Sequence, residues 1–381
     1  MNYLKEQYKR DREFRIRHNY LPEQFSDLRA VLRDIEKVVR NNSFTLGEEV
    51  SVFEDRFGKK TNSKYALSVS SGTDALILAL KAIGVKEGDE VIAPSFTFYA
   101  TIGAIVAAGA RPVFADVKAD FNIDPESIEK QMTGKTKAII PVHWAGRICD
   151  MPKIMRLASK YKLKVIEDAC HAYMAKLDGE YAGNFGDIGC FSLHPLKNIN
   201  VWGDGGMLVT NNSEYFRKLS LLRNHGLISR DRLEIFGHNS RLDTIQAVVG
   251  NHFMKKLDHI IKMRIHNARY LDKKLRMIDE LVIPVRIKNR VETFQLFSLL
   301  CKKRNKLKEY LNRQGIDAKV HYPIPMHLQK PAKRWGYKEG DFPVSEYVAD
   351  CTLSLPVHEF VKKEDLDFMV DQIHTFYSHN P

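Results

Sequence analysis

A three-layer α/β/α unit on a mostly parallel sheet, followed by a smaller α+β unit, is the α/β fold this sequence predicts. Three observations carry that prediction. From Tyr65 onward, short β-type runs alternate with longer helical patterns, the pattern of a parallel sheet covered on both faces. A helical pattern with few breakers then runs over 242–277 and bridges out of the alternation. Beyond it the elements are shorter and mixed, and a Pro-rich stretch at 321–331 (HYPIPMHLQKP) is too kinked for regular structure. The division falls near residue 255, giving a large unit over 1–255, with an N-terminal arm at 1–25, and a small unit over 256–381. A chain of 381 residues accommodates both.

The elements follow in order. Residues 26–41 carry Leu28, Leu32, Ile35 and Val39 at helical spacing, with Ser26 as the expected N-cap. Strands are expected at 65–69, 90–93, 112–115, 137–142, 164–167, 188–193 and 206–210. Helices are expected between them at 73–83, 99–108, 125–132 and 150–161. No internal repeat or low-complexity tract interrupts the series.

Composition narrows the function classes. With 44% hydrophobic residues the chain fills a core, which excludes disorder as its dominant state. The 59 Lys and Arg against 47 Asp and Glu leave a formal charge of +12. That surplus suits nucleic acid, anionic membranes or phosphorylated small molecules alike. The charge is spread along the chain and no helix-turn-helix or RNA-binding signature occurs, which argues against nucleic acid. The basic, aromatic-containing KEQYKRDREFRIRH segment at 5–18 is expected to pack on a partner copy of the chain rather than on phosphates. Five widely spaced cysteines without a CxxC pair argue against a disulfide scaffold and a zinc knuckle. The longest apolar stretch, 99–110, holds two glycines and is too short to span a bilayer, and the charged first residues do not read as a signal peptide. The expectation is a cytoplasmic protein with no membrane partner.

Ligands of such sheets sit where strands end at their carboxyl side, and four turns there are rich in chemistry. Ser70-Ser71-Gly72-Thr73-Asp74 opens a helix with small residues, whose free N–H groups attract phosphate. Pro94-Ser95-Phe96-Thr97-Phe98-Tyr99 offers aromatic faces for a planar ring. Val165-Ile166-Glu167-Asp168-Ala169-Cys170-His171 ends an apolar strand in two carboxylates, and a buried acid there requires a cation or a donor. A protonated pyridine nitrogen, a structural Arg and a magnesium ion all meet that requirement. The absence of a GxxxxGK[ST] loop disfavours magnesium, and no metal site is expected. Finally, Phe191-Ser192-Leu193-His194-Pro195-Leu196-Lys197-Asn198 places Lys197 on a shaped turn, followed by Gly203-Asp204-Gly205-Gly206. Desolvation makes such a lysine a competent amine nucleophile. Taken singly, each turn has an ordinary structural reading; together they are the set that pyridoxal 5′-phosphate requires.

In motif order the chain resembles the DegT/DnrJ/StrS family of sugar aminotransferases, fold-type I pyridoxal-phosphate enzymes. SGTDALILAL, PSFTFYAT, VIEDACHA, FSLHPLKN, GHNSRLDTIQA, HYPIPMHLQ and GYKEGDFPVSE carry the likeness from about residue 25 to the C-terminus. The resemblance implies that Lys197 forms the Schiff base and shuttles the proton, while Asp168 pairs with the pyridinium nitrogen. It implies that Phe98 stacks on the ring and His171 flanks it, and that Gly72, Thr73 and Ser192 contact the phosphate. A residue of the GHNSRL segment is expected to reach the phosphate across a homodimer interface, Asn239 first and Arg241 second. His321 and Tyr322 are expected at the substrate end. The chain departs from the family in one place. The spacing from Lys197 to Gly205-Gly206 is one residue longer than usual and Asp204 replaces the usual Glu, which brings Trp202 to the expected rim. The presence of Lys197 counts against the dehydratase branch, where His takes its place.

The reaction implied is transamination from an amino acid, L-glutamate by family expectation, to a nucleotide-linked 3- or 4-keto hexose. A sugar phosphate or a free keto-acid sugar is the alternative acceptor. A regulatory or nucleic-acid-binding protein on the same fold is the distant alternative.

Overall fold

A computed structural model describes residues 14–18 and 20–379. Its centre is a seven-stranded sheet, in which β1 (Tyr65–Val69), β2 (Glu90–Pro94), β3 (Arg111–Ala115), β4 (Thr136–Ile139), β5 (Lys164–Asp168), β6 (Ile188–Ser192) and β7 (Gly206–Thr210) lie in the order β1-β7-β6-β5-β4-β2-β3. The β2–β3, β2–β4, β4–β5 and β5–β6 pairs are parallel, and β7 alone runs against its neighbours β1 and β6. All strands but β7 therefore end at one edge, and the turns described above gather there.

The strands are apolar throughout because both faces are covered. Alternation sends Ile92, Val165 and Phe191 to a core with Phe53, Phe57, Ile154 and Ala247, from helices Glu48–Thr61, Met151–Tyr161 and Thr244–Met254. It sends Val91, Ile166 and Cys190 to the opposite core with Leu76, Leu80, Ile102 and Leu219, from helices Gly72–Ala82, Tyr99–Ala107 and Ser213–Arg223. These are the three expected layers. Beyond them, the antiparallel strands β8 (Leu281–Val282), β9 (Phe297–Cys301) and β10 (Thr352–Leu355) build a third core with helices Leu257–Leu275, Arg304–Arg313 and Lys363–His379.

Several expectations are corrected. Helix Arg29–Arg40 begins after Leu28, whose side chain gives no cap, so Ser26 does not cap it. Its apolar stripe faces outward: Leu28, Leu32 and Val39 are 38%, 51% and 48% exposed, while Val38 is buried. The 242–277 pattern is two helices, broken where Lys255 and Lys256 bond back to the carbonyls of His252 and Phe253 in tight turns. The strand expected at 137–142 ends at Ile139, because Pro141 has no N–H for the ladder. Residues 5–13 of the N-terminal arm lie outside the described residues. The part described packs on its own chain: Ile16 pairs with Ile316 and enters the third core. Among the described residues no helix is long and apolar enough to cross a membrane.

Candidate active site

A cavity of about 560 Å³ opens at the carboxyl edge of the large sheet. Gly72, Thr73, Phe98, Asp168, His171, Ser192, Lys197, His321 and Tyr322 all line it.

Strand β5 explains how two adjacent acids serve different ends. Successive side chains point to opposite faces. Glu167 is fully buried, where it accepts from the N–H groups of Gly183 (2.8 Å) and Gly186 (2.7 Å) and from His143 Nε2 (2.8 Å). His143 Nδ1 accepts from the Cys149 N–H at 3.2 Å, so it is Nε2 that donates to Glu167. Asp168 turns to the cavity side and accepts from the Thr101 hydroxyl (2.8 Å) and the Cys170 N–H (3.2 Å). Glu167→Ala strips three buried donors at once and is expected to cost about 3–5 kcal/mol of stability, measured by denaturant unfolding.

The turn after β1 forms a cradle. Ser71 caps helix Gly72–Ala82 by accepting from the Asp74 N–H at 3.0 Å. The first N–H groups of a helix have no partner within it and carry its positive end. Side chains are excluded by contact: a Cβ on Gly72 would stand 2.8 Å from Ser192 Cβ, and one on Gly206 would stand 2.2 Å from the Ser71 carbonyl oxygen. The turns after β1 and β6 and the start of β7 thus meet in close backbone contact, beside the start of helix Gly72–Ala82. Opposite, Phe98 lies 3.8 Å from Tyr99 and 5.5 Å from Tyr322 between ring centres, and the buried Trp144 stands edge-on to His171 at 5.7 Å.

Lys197 is held by its neighbours. Gln295 donates to the Leu196 carbonyl (2.6 Å) and accepts from the Asn198 N–H (2.9 Å), and Asn198 donates to the Thr293 carbonyl (2.8 Å). Burial lowers the amine's pKa, with the neighbouring Cys170 and Asp168 pulling the other way. His171 is pushed well below the ordinary imidazole value by burial, then by Lys197 and His321. Burial, then Asp168, raises the Cys170 thiol well above its usual value. Cys170 is therefore expected to react slowly with iodoacetamide at pH 8 despite lining the cavity, a rate that mass spectrometry reads directly.

Three expected site residues stand elsewhere in this chain. Trp202 does not line the cavity; it packs edge-on against Phe25 at 5.7 Å, and its backbone is bonded in both directions to the Gln246 side chain. Asn239 is exposed and bridges Asn224, and Arg241 donates to the Asn224 side chain at 2.7 Å. Conversely, His18, Tyr20, Trp144, Gln295 and Arg264 belong to the cavity or its supports without any local motif to announce them.

A family model described as the DegT/DnrJ/EryC1/StrS aminotransferase family matches residues 27–374. A Geobacillus stearothermophilus protein named "Pleiotropic regulatory protein" is 39% identical, the match covering 94% of this chain and 98% of that one. A UDP-N-acetyl-3-dehydro-alpha-D-glucosamine 3-aminotransferase of Acidithiobacillus ferrooxidans is 40% identical over 90% of this chain and 92% of its own. The crystal structure of S. venezuelae DesV in complex with a ketimine intermediate superposes with a TM-score of 0.90 at 34% identity, covering 93% of this chain and 96% of that one. The chain belongs to the DegT/DnrJ/EryC1/StrS aminotransferase family.

Proposed function

We propose that this protein uses pyridoxal 5′-phosphate to move an amino group from L-glutamate to a nucleotide-linked 3- or 4-keto hexose. The observation that carries the reading is the meeting of Lys197, Asp168 and the Gly72–Ser192 cradle in one cavity. The start of helix Gly72–Ala82 would offer donors to the cofactor's phosphate, with Ser192 held close beside Gly72. Phe98 and Asp168 would hold the cofactor's ring, Asp168 as the partner of the ring nitrogen.

When bound, the cofactor supplies an electrophilic aldehyde and a ring that draws electrons from the substrate carbon. Lys197 Nζ, with its pKa lowered by burial, presents an amine to that aldehyde and carries a proton to and from the reacting carbon. Asp168 would hold the ring nitrogen and favour its protonated form, and Thr101 donates to the carboxylate on the cavity side. His171 stays neutral beside the ring.

A homodimer working in the cytoplasm completes the proposal, with the large unit at 1–255 and the small unit at 256–381. Leu28, Leu32, Val39 and Phe44 on one exposed surface, and Ile228, Leu233 and Phe236 on another, support an interface. Asn239, and after it Arg241, are the residues proposed to reach the partner's phosphate. Light scattering after gel filtration is expected to give the mass of two copies.

The name of the Geobacillus relative favours a second reading, a regulator on the same fold. The cavity residues favour the enzyme. Incubation with pyridoxal phosphate, L-glutamate and nucleotide keto-hexoses, read by mass spectrometry, is expected to yield an amino sugar and 2-oxoglutarate. No amine transfer, together with a salt-dependent shift of random DNA, would establish the regulator instead. Turnover of a sugar phosphate or a free keto-acid sugar alone would move the acceptor to the alternative class.

A further inference from the structure

We propose that His18, from the N-terminal arm, is a positioning residue that sets specificity for the uncharged hydroxyl-bearing part of the acceptor sugar. The proposal rests on the aminotransferase reading above and extends its site to a segment far from every motif.

The arm reaches the cavity by backbone pairing. The Ile16 N–H donates to the Gly315 carbonyl and the Asp317 N–H donates to the Ile16 carbonyl, each at 2.9 Å. The His18 N–H then donates to Asp317 Oδ2 at 3.1 Å. With its backbone fixed this way and Ile16 buried in the third core, the segment does not need the His18 ring to hold it. The ring lines the cavity, 5.7 Å from the ring of His321.

Three histidines of this wall differ in how their nitrogens are used. His358 Nε2 donates to the Arg17 carbonyl at 2.8 Å, and its ring packs on Tyr20 at 4.8 Å, a structural use. His321 Nδ1 is held by the Ser354 hydroxyl at 3.1 Å. His18 Nδ1 is shielded from solvent and has no hydrogen-bond partner among the described residues. A buried nitrogen left in that state costs about 1–3 kcal/mol, a cost that a ligand removes by pairing with it. The χ2 torsion of histidine is broad, so ring rotation brings a nitrogen to the cavity side. Burial, then the cations around them, keeps His18 and His321 neutral with pKa values of about 3. A neutral imidazole both donates and accepts, as a sugar hydroxyl or acetamido group does.

Charge matching points away from the amino donor's carboxylate. Arg264 also lines the cavity, but it stands 3.5 Å from Glu359 and lies over the Tyr20 ring at 4.9 Å. Glu359 balances the Arg264 charge and Arg264 Nη1 donates to the Phe294 carbonyl, while its Nε and Nη2 make no hydrogen bond among the described residues. What remains on this wall is neutral and polar.

The test separates the two halves of the reaction in the cofactor-loaded protein. His18→Ala and His18→Asn are assayed for amine uptake from L-glutamate alone, then for turnover of UDP-linked 3-keto-N-acetylglucosamine. His18→Ala is expected to raise the acceptor KM at least 10-fold, with kcat and the glutamate half-reaction within 2-fold of the parent. His18→Asn, which keeps a donor and an acceptor, is expected to recover part of the loss. An unchanged acceptor KM, or a fall of both halves together, overturns the assignment. A parent protein that takes no amine from L-glutamate overturns the aminotransferase reading itself, before His18 is at issue. A parent that takes the amine but leaves the keto-sugar untouched overturns the acceptor and this assignment together.

Discussion

Lys197→Ala is expected to abolish transamination, by at least about 10³-fold, while the protein stays folded and keeps the phosphate cradle. In the proposed reaction the amine serves as nucleophile and as proton carrier at one carbon, so no neighbour can replace it in both roles. His171 and His194 both feel the charge of Lys197, and burial followed by that charge lowers the pKa of each. The fold does not depend on the amine. The hydrogen bonds that shape this turn run through the Leu196 carbonyl and the Asn198 and Gln295 side chains. Burial disfavours the charged amine, so truncation removes a cost and the melting temperature is expected to hold or rise. Asp168→Ala offers the contrast, since it leaves the Thr101 hydroxyl and the Cys170 N–H without their acceptor and is expected to lose stability as well as activity. Steady-state assays beside thermal melts of both variants check the pair. Significant turnover by Lys197→Ala would move the nucleophile elsewhere.

Acid is expected to unfold the protein well before its carboxylates titrate. His18, His321 and His358 each have a pKa lowered from 6.5 to about 3, with burial as the main cause. Below pH 6.5 the unfolded chain binds protons at these sites and the folded chain does not. Stability therefore falls as the pH drops from about 6.5 toward 3, and it is insensitive to these groups above that window. Each fully shifted histidine contributes a slope of about 1.4 kcal/mol per pH unit inside the window. Denaturant midpoints at pH 7, 6 and 5 measure the slope. His358→Gln is expected to flatten it, at some cost in stability at pH 7 from the bond to the Arg17 carbonyl. A flat profile between pH 7 and 5 would mean that these rings take protons within the folded protein.

What could be read from the sequence and what could not divide along a physical line. The cradle, the ring wall and the lysine each sit on a turn directly after a strand, and the acid is the last residue of one. Local spacing placed them, and the parallel topology then gathered them at one edge. His18, Arg264 and Gln295 reach the same cavity from three separate segments through backbone pairing and packing. Nothing near them in the chain marks their destination. The helix Arg29–Arg40 failed in the opposite sense. Its period was right, yet Leu28, Leu32 and Val39 face outward, because periodicity shows that a face is apolar without showing what covers it. Glu167 and Asp168 could be read as a pair of acids. Only the direction of strand β5, with Gly183 and Gly186 folded back onto one face, shows that Glu167 is spent on structure.

The most direct test of the central claim is the visible absorption spectrum of the purified protein with pyridoxal phosphate, before and after L-glutamate, for the parent and for Lys197→Ala. A lysine-bound cofactor band that gives way to the aminated form in the parent, and is absent from the variant, is the expected result. A spectrum showing no bound cofactor in the parent would contradict the aminotransferase reading.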